Sequence, residues 1–456
     1  MNKSITQDYQ NDKQISSSIL YFFKKFHIAS ALKAANAHKH KGIAVVEIFQ
    51  YLFTMIFANR SMYMSMLTRK NAPSFGKDTV YRFVKSIHIN WIQFTTILCS
   101  RIINDSIEEL TDEKRVNVFI IDDSTFERNR SKKVELLTKV FDHAKHIYIY
   151  GFRMLTLGWS DGNSFLPVNS ILLSSEKEKN RLNGAKELDK RTVGYKRRRL
   201  SMKKATEAML ELIETAKHAA IPASYVLFDS WFTSPASLHA IKKLGYDVIA
   251  MAKKTPKMYF RYQGIDMSLP EIFKQNKKRR GRSRYLLSVT IDVIKNGESI
   301  PAKVVFVRNR NNRKDYLCLI STNPSLDEDE IIRIYGKRWD IEVFFKVCKS
   351  YLRLSRECNA LSYDAMTAHA AVVFTRYMML ALENRQSKDE RTLGEIFLYF
   401  SDELSDITWI QAFHLMLQIF RDTMSDRLCL TEETLDELLN VFMQAIPFPI
   451  KEQLVV

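Results

Sequence analysis

The stretch IYGKRWDIEVFFKVCK, residues 334–349, carries four polar side chains at helical spacing. Tyr335, Arg338, Glu342 and Lys349 stand at offsets of 0, +3, +7 and +14. An α-helix places all four within about 60° of one face. One carboxylate, two cations and a phenol are groups that hold a divalent metal together with a phosphate. A solvent-facing stripe on an amphipathic helix explains the same spacing, so the spacing alone supports a site only weakly.

Two upstream segments end a run of β-forming apolar residues on an aspartate. VNVFIIDDST (116–125) has the pattern of a buried strand that stops at Asp122 and Asp123. SYVLFDSWFTSP (224–235) places Asp229 just past a short buried strand. Carboxylates at strand ends lie at the rim of a rigid sheet, where hard Mg²⁺ reaches its preferred oxygen ligands. Alternation sends neighbouring side chains to opposite faces, so only one of Asp122 and Asp123 is expected at the site.

Together these segments resemble the bacterial insertion-sequence transposases of the DDE class. Tyr-x2-Arg-x3-Glu-x6-Lys matches the YREK signature of insertion-sequence family four, and the resemblance extends from about residue 116 to residue 358. It implies that Asp123, Asp229 and Glu342 are the catalytic acids and the metal ligands. Asp123 is chosen over Asp122 because the family's first Asp stands immediately before Ser or Thr, so Asp122 is expected to point away from the site.

The family also supplies an expected reaction. The three acids would hold two Mg²⁺ ions, with Mn²⁺ as a substitute, for in-line attack on a phosphodiester. Tyr335, Arg338 and Lys349 would clamp a phosphate near the cut end. The implied partners are double-stranded DNA with terminal inverted repeats, the target DNA, and a second copy of the chain in a synaptic complex.

Charge agrees with a nucleic-acid partner. The 456 residues include 69 basic and 51 acidic side chains, a net charge of +18, and such a surplus favours polyanions. The apolar fraction of 46% is that of a globular protein. Five cysteines without a C-x2-C pair predict neither a zinc site nor a disulfide framework.

Localisation is expected to be cytoplasmic and nucleoid-associated, without a membrane anchor. The polar N-terminus has no signal-peptide core. The most apolar window, residues 43–58, is near the lower limit for a membrane span and contains Glu47 and Gln50. We expect it to form a buried helix.

Three basic segments are candidates for binding the DNA backbone. PSFGKDTVYRFVKSIHI (73–89) resembles the second helix of a helix-turn-helix, with Lys77 and Arg82 on its polar side. The run 277–284 contributes Arg279, Arg280 and Arg282 on a loop, and the run 196–199 adds four more cations. A structural amphipathic helix and solvated loops are the plain alternatives for these segments.

The predicted fold class is α/β (α+β), a ribonuclease-H-like core interrupted by a mostly β insertion, with helical regions at both ends. Turn residues 160–163 join two extended runs as a hairpin, and three β-rich runs lie between residues 284 and 321. The expected organisation is a helical DNA-binding region (1–112), the first part of the core (113–252), the insertion (253–330), the second part of the core (331–385) and a helical C-terminal region suited to dimerisation (386–456).

Three functions are consistent with this interpretation of the sequence. The favoured one is a cut-and-paste transposase that cleaves and transfers DNA strands. A ribonuclease-H-like DNA nuclease or resolvase would keep the acids but needs no inverted-repeat specificity. An inactive DNA-binding relative is the third, and the intact acids argue against it.

Overall fold

The computed structural model describes residues 18–39, 41–57, 62, 66, 73–110, 115–142, 145–281, 283–309, 312, 315–354 and 359–386, with scattered positions between 424 and 441. The predicted helical C-terminal region (386–456) therefore lies outside the described residues, apart from Gln386 and these isolated positions.

One mixed sheet of 11 strands runs through the described part of the chain. The strands are β1 (Val118–Glu127), β2 (Thr138–Asp142), β3 (Ile147–Ser160), β4 (Phe165–Leu173), β5 (Tyr225–Phe228), β6 (Asp247–Ala252), β7 (Tyr259–Tyr262), β8 (Ile265–Ser268), β9 (Tyr285–Lys295), β10 (Glu298–Arg308) and β11 (Tyr316–Ser321). Their order is β2-β3-β1-β5-β6-β11-β10-β9-β7-β8, and β4 also pairs with β3.

The core of the sheet has the topology expected of a ribonuclease-H-like fold. β3 pairs antiparallel with both β1 and β4, and β5 and β6 follow on the other side of β1 in parallel. The insertion strands continue this sheet because β11 pairs antiparallel with β6. The predicted α+β fold class is confirmed.

Helices precede, cover and follow the sheet. They are α1 (Ile28–Ala34), α2 (Val45–Thr54), α3 (Lys77–Val84), α4 (Trp91–Ile102), α5 (Val193–Ser201), α6 (Ala205–His218), α7 (Pro235–Lys243), α8 (Leu269–Gln275), α9 (Glu328–Gly336), α10 (Trp339–Ser350) and α11 (Tyr363–Gln386). Residues 18–25 are also helical, a π-helical turn follows α4 at Ile103–Ile107, and a 3-10 turn follows at Glu108–Leu110.

Local sequence explains several of these boundaries. The hydroxyls of Thr192 and Ser234 accept hydrogen bonds from backbone N–H groups in the first turns of α5 and α7. The predicted hairpin joins β3 to β4, where Asp161 accepts hydrogen bonds from the backbone of Asn163 and Ser164. Gly162 has φ +95°, a conformation that favours glycine. The reading of Asp161 as a turn residue is confirmed.

The helix α11 is the most apolar long helix of the described residues. Residues Tyr363–Arg385 are long and apolar enough to cross a membrane, but 94% of the apolar window is buried within the fold. The helix packs against α2, α4 and β4, and the guanidinium of Arg376 donates to the backbone oxygen of Phe53 at 3.0 Å. It therefore forms part of the core. The shorter apolar window at 43–58 contains α2, as predicted.

Candidate active site

Two acids lie level on neighbouring parallel strands. β1 and β5 pair in register up to Ile121 and Phe228, so Asp122 and Asp229 are the next residues on each strand. β5 ends there, whereas β1 continues to Glu127 because β3 pairs with it along its whole length. The prediction that β1 stops at the acids is wrong. Because β5 ends at Phe228, β1 has no paired residues of β5 beyond Ile121, and the edge beside Asp122 is left without a neighbouring strand on that side.

The expected direction of the Asp122 side chain is also wrong, because Asp122 points towards Arg338 and Glu342 and not away from them. Arg338 Nη1 donates to Asp122 Oδ2 at 3.1 Å, and its Nη2 donates to Glu342. Asp123 points to the opposite face, where its Oδ2 lies 3.4 Å from Arg153 Nη1. Asp122, Asp229, Arg338 and Glu342 are called the acid cluster below.

The helix that carries the four signature residues is interrupted. Tyr335 lies in the last turn of α9, and Glu342 and Lys349 lie in α10. Between them the N–H groups of Lys337 and Arg338 bond to carbonyls three residues back, a tighter geometry than that of an α-helix. The prediction of one continuous helix is therefore wrong.

Arg338 and Lys349, the two cations among these residues, still reach one face of β1. The Nζ of Lys349 donates to Ser124 Oγ at 2.6 Å, and Ser124 points to the same side as Asp122 because the two residues alternate with Asp123. The guanidinium carbon of Arg338 lies 6.0 Å from the ring centre of Tyr335.

Burial dominates the electrostatics of this face. It raises the pKa of Asp122 to about 7; Arg338 opposes the rise, while the charges of Asp229 and Asp123 add to it. Burial also raises the pKa of Tyr335 to about 12, so its hydroxyl keeps its proton at neutral pH. That buried hydroxyl makes no hydrogen bond of normal geometry to the described residues.

The chemistry of the donors fits a divalent cation. Asp122, Asp229 and Glu342 present carboxylate oxygens, the ligands preferred by hard ions such as Mg²⁺. Arg338 pairs with two of these three acids, Asp122 and Glu342, so negative charge is in excess. Among the residues described, no three acidic, histidine or cysteine side chains stand close enough to share one ion.

The predicted DNA-binding residues of the N-terminal region are exposed. Lys77 and Arg82 lie on the outer side of α3, while Val80 and Phe83 on its inner side are buried. Arg82 also lines a cleft of about 550 Å³ between the helical region and the core. The other basic side chains of this cleft are His38, Lys39, His88 and Arg191.

The insertion loop presents two of its three predicted arginines. Arg279 and Arg280 are exposed, and the guanidinium carbon of Arg279 lies 4.3 Å from the ring centre of Tyr285. Arg308 donates to the carbonyls of Gly281 and Ser283 and so ties the loop to β10. Arg282 lies outside the described residues.

The basic run 196–199 is largely structural, contrary to the prediction of a phosphate-binding surface. Arg197 and Arg198 are buried and form ion pairs with Asp364 on α11, and Arg198 also pairs with Glu135. Only Lys196 and Arg199 are exposed. Arg197, Arg198, Glu135 and Asp364 are called the buried cluster below.

Comparison with known families identifies the class. The chain matches the family described as DDE superfamily endonuclease over residues 32–302. It therefore belongs to the DDE superfamily endonucleases, enzymes that act on DNA and use divalent metals. The matched region contains Asp122, Asp123 and Asp229 and ends before Glu342. No curated protein matches the chain.

Two residues beside the candidate site were not predicted from the sequence. The sequence pattern predicts Asp123 as the first acid, whereas in the structure Asp122 follows the Ile121–Phe228 pair and so lies level with Asp229. Trp231, two residues after Asp229, is 54% exposed beside the acids. The sequence feature that could have pointed to it is a large aromatic residue in the short polar segment that follows a buried strand.

Proposed function

We propose that this chain is a transposase that cuts the ends of an insertion-sequence element of the family-four type and transfers them to target DNA. The observation that carries the proposal is the acid cluster, which joins Asp122 and Asp229 at the end of β5 to Arg338 and Glu342 at the α9–α10 joint. Tyr335 and Lys349 flank the cluster.

In this proposal the acids bind the metal ions. Asp122, Asp229 and Glu342 would hold divalent ions, with two Mg²⁺ as the natural occupants and Mn²⁺ as a substitute. Such ions activate the attacking oxygen and neutralise charge on the leaving oxygen. The sequence pattern proposes Asp123 as the first acid, whereas its contact with Arg153 on the other face favours Asp122.

The cations and the phenol position the substrate. Arg338 has a planar fork that binds two phosphate oxygens at once, and Lys349 adds a second positive charge along β1. The hydroxyl of Tyr335 is a buried donor available to a phosphate oxygen. Together they would hold the phosphodiester at the cut end in line with the acids.

Surfaces farther from the acids would bind the flanking duplex. Lys77 and Arg82 on α3 would contact the terminal inverted repeat, and Arg279, Arg280 and Arg282 would follow the backbone. A homodimer would bring two element ends together in a synaptic complex with target DNA. Action on chromosomal DNA would take place in the cytoplasm, at the nucleoid.

The second candidate function is a nuclease or resolvase, because the family is described as an endonuclease family. Such an enzyme would use the same acids and would cut DNA without joining the ends. An inactive DNA-binding relative would bind the same DNA and leave it intact.

The test is cleavage of labelled duplex DNA taken from the two flanks of the gene, in Mg²⁺ and in EDTA. The proposal predicts metal-dependent cuts at the element boundary and joining of the cut ends to a target plasmid. Glu342→Gln should bind the same duplex and leave it intact. Cuts without joining would establish the nuclease, and binding without cuts in Mg²⁺ or Mn²⁺ would contradict both enzymatic readings.

A further inference from the structure

We propose that the hairpin of β2 and β3, together with the connection that precedes it, binds the backbone of the DNA duplex that continues from the cut end. The hairpin surface consists of the exposed side chains of Arg130, Lys132, Lys133, Lys139, Lys145 and Tyr148. The inference rests on the proposed action on DNA and deepens it, because none of these residues belongs to the acid cluster or to the basic segments assigned above.

The register of the strands places part of this surface on the face of the sheet that carries the acid cluster. Asp122 on β1 lies opposite Thr156 on β3. Side chains alternate along a strand, so the even-numbered residues of β3, as far as Tyr148, lie on this same face. Lys139 on β2 lies opposite Tyr150 and therefore shares the face. The hairpin thus extends the face of the acid cluster towards β2, the edge strand of the sheet.

Lys349 lies between the acid cluster and the hairpin. Its Nζ donates to Ser124 Oγ at 2.6 Å. Burial lowers the pKa of Lys349; the charge of Asp142 opposes this change, and the positive charge of Lys145 adds to it. A backbone phosphate beside the two ammonium groups would relieve their repulsion. DNA held by Lys349 would therefore continue onto the hairpin surface.

The acidic side chains of this segment are engaged within the fold. Residues 128–148 contain two of them, Glu135 and Asp142. Glu135 belongs to the buried cluster, and the buried Asp142 accepts a hydrogen bond from the backbone N–H of Lys145 at 3.1 Å. Glu127, just before the segment, pairs with the side chain of Lys145 at 3.1 Å. The remaining exposed charge of the hairpin surface is positive.

The backbone that carries these cations is held in place. Asn129 Oδ1 accepts a hydrogen bond from the backbone N–H of Tyr150 at 2.8 Å. The Nδ2 of Asn183 donates to the carbonyls of Lys132 and Val134, at 2.6 and 2.7 Å. These bonds fix the connection through its main chain and leave its basic side chains exposed.

This surface matches a duplex backbone better than unpaired bases. Tyr148 is 64% exposed, but Lys139 Nζ lies 4.8 Å from its ring centre and Phe141 packs edge-on against the ring, with 5.1 Å between the centroids. Protein groups thus already contact the ring, while its hydroxyl can donate to a phosphate oxygen. Cations spread over a loop and a strand, without a row of stacking rings, are suited to successive phosphates.

The test measures binding of the full-length protein to labelled duplex from the two flanks of the gene, in EDTA, over a range of salt concentrations. Lys133→Gln/Lys139→Gln removes two positive charges from the hairpin surface. Affinity should fall about tenfold or more at about 0.1 M salt, and the slope of log affinity against log salt concentration should become shallower by about 2. Lys133→Arg/Lys139→Arg should bind as wild type does.

Lys243→Gln/Lys295→Gln is the matched control. Both lysines are exposed, and the ion pair of Lys243 with Glu298, which lies opposite Lys295, places them at the same end of the sheet. Lys243 is just before the start of β6, whereas Asp229 follows the end of the parallel strand β5. This variant removes the same charge at the opposite end of the sheet and should bind the duplex within about twofold of wild type.

Equal losses of affinity in the two Gln variants would overturn the hairpin surface, because affinity would then follow net charge alone. Unchanged affinity of Lys133→Gln/Lys139→Gln would also overturn it. An altered oligomeric state in sedimentation, with unchanged affinity, would assign the surface to a second copy of the chain instead. Cleavage in Mg²⁺ is measured separately. A wild-type protein that shows the expected salt dependence but never cuts would refute the transposase and leave this surface standing.

Discussion

Two arginine–carboxylate clusters in this molecule have opposite properties. In the buried cluster, Arg197, Arg198 and Asp364 have side chains at most 4% exposed. Two arginines there face two carboxylates, and Glu135 also accepts hydrogen bonds from the backbone of Lys186 and Tyr363. The charges therefore balance and the oxygens are well supplied with donors.

The acid cluster is open and unbalanced. The side chains of Asp122 and Glu342 are 19% and 35% exposed, and Arg338 forms an ion pair with each of them. Asp229 adds further negative charge, and burial raises the pKa of Asp122 to about 7. A balanced buried cluster fixes the fold, whereas an open cluster with excess negative charge is suited to recruiting a cation. Substitutions in the two clusters should accordingly change different quantities.

The largest effect is expected from Glu342→Gln. The amide keeps the size of the side chain and removes the charge that would hold a metal ion, so the rate of DNA cleavage should fall by a factor of about 10³ or more. The melting temperature should change little. Single-turnover cleavage and thermal unfolding measure the two effects, and a cleavage rate within tenfold of wild type would refute a catalytic role.

Asp364→Ala should have the reverse profile. It leaves two buried guanidinium groups without their shared carboxylate, at a cost of about 3–5 kcal/mol in the free energy of unfolding. Activity would be lost only through unfolding. Glu330→Ala is the matched control, because it breaks an exposed pair with Arg333 and should cost at most about 1 kcal/mol. Urea unfolding that gives similar values for both variants would contradict a stabilising role for the buried cluster.

Arg338→Ala tests the phosphate clamp. Cleavage at the element end should fall about 10- to 100-fold because the planar fork is lost, while overall affinity for duplex DNA should fall less. Lys346→Ala removes an exposed cation from α10 and serves as the control. A product pattern identical to that of wild type would contradict the clamp.

The smallest effect concerns pH. Burial of Glu135 raises its pKa, but hydrogen bonds from Arg198 and from the Lys186 backbone outweigh burial, so its pKa is lowered in the folded state. Its contribution to stability is complete above its unfolded pKa of about 4.3. It is lost as the pH falls through the lower folded value. Urea unfolding between pH 6 and pH 3 should show a shallower decline for Glu135→Gln, by at most about 1.4 kcal/mol per pH unit.

The sequence predicted the features that depend on local pattern. The apolar runs located β1, β5 and β9–β11, and the Ser160–Asn163 turn located the hairpin, because period and turn residues are properties of neighbouring positions. The four signature residues were predicted to share one face, and Lys349 and Arg338 do contact the same side of β1.

Features that depend on distant partners were not predictable in this way. Alternation places Asp122 and Asp123 on opposite faces but does not say which face receives α10. That choice depends on residues far along the chain, because Arg338, just before α10, pairs with Asp122. Arg197 and Arg198 belong to a run of four cations typical of a surface, and their burial is explained by Asp364, which lies far along the chain.

The role of the acid cluster is tested most directly by comparing Asp122→Asn with Asp123→Asn in metal-dependent, single-turnover cleavage of labelled duplex DNA, with thermal unfolding as the check on folding. Asp122→Asn is expected to abolish cleavage and still bind DNA, whereas Asp123→Asn is expected to cut within about tenfold of wild type. Full cleavage by Asp122→Asn together with none by a folded Asp123→Asn would contradict the acid cluster and restore Asp123 as the first acid.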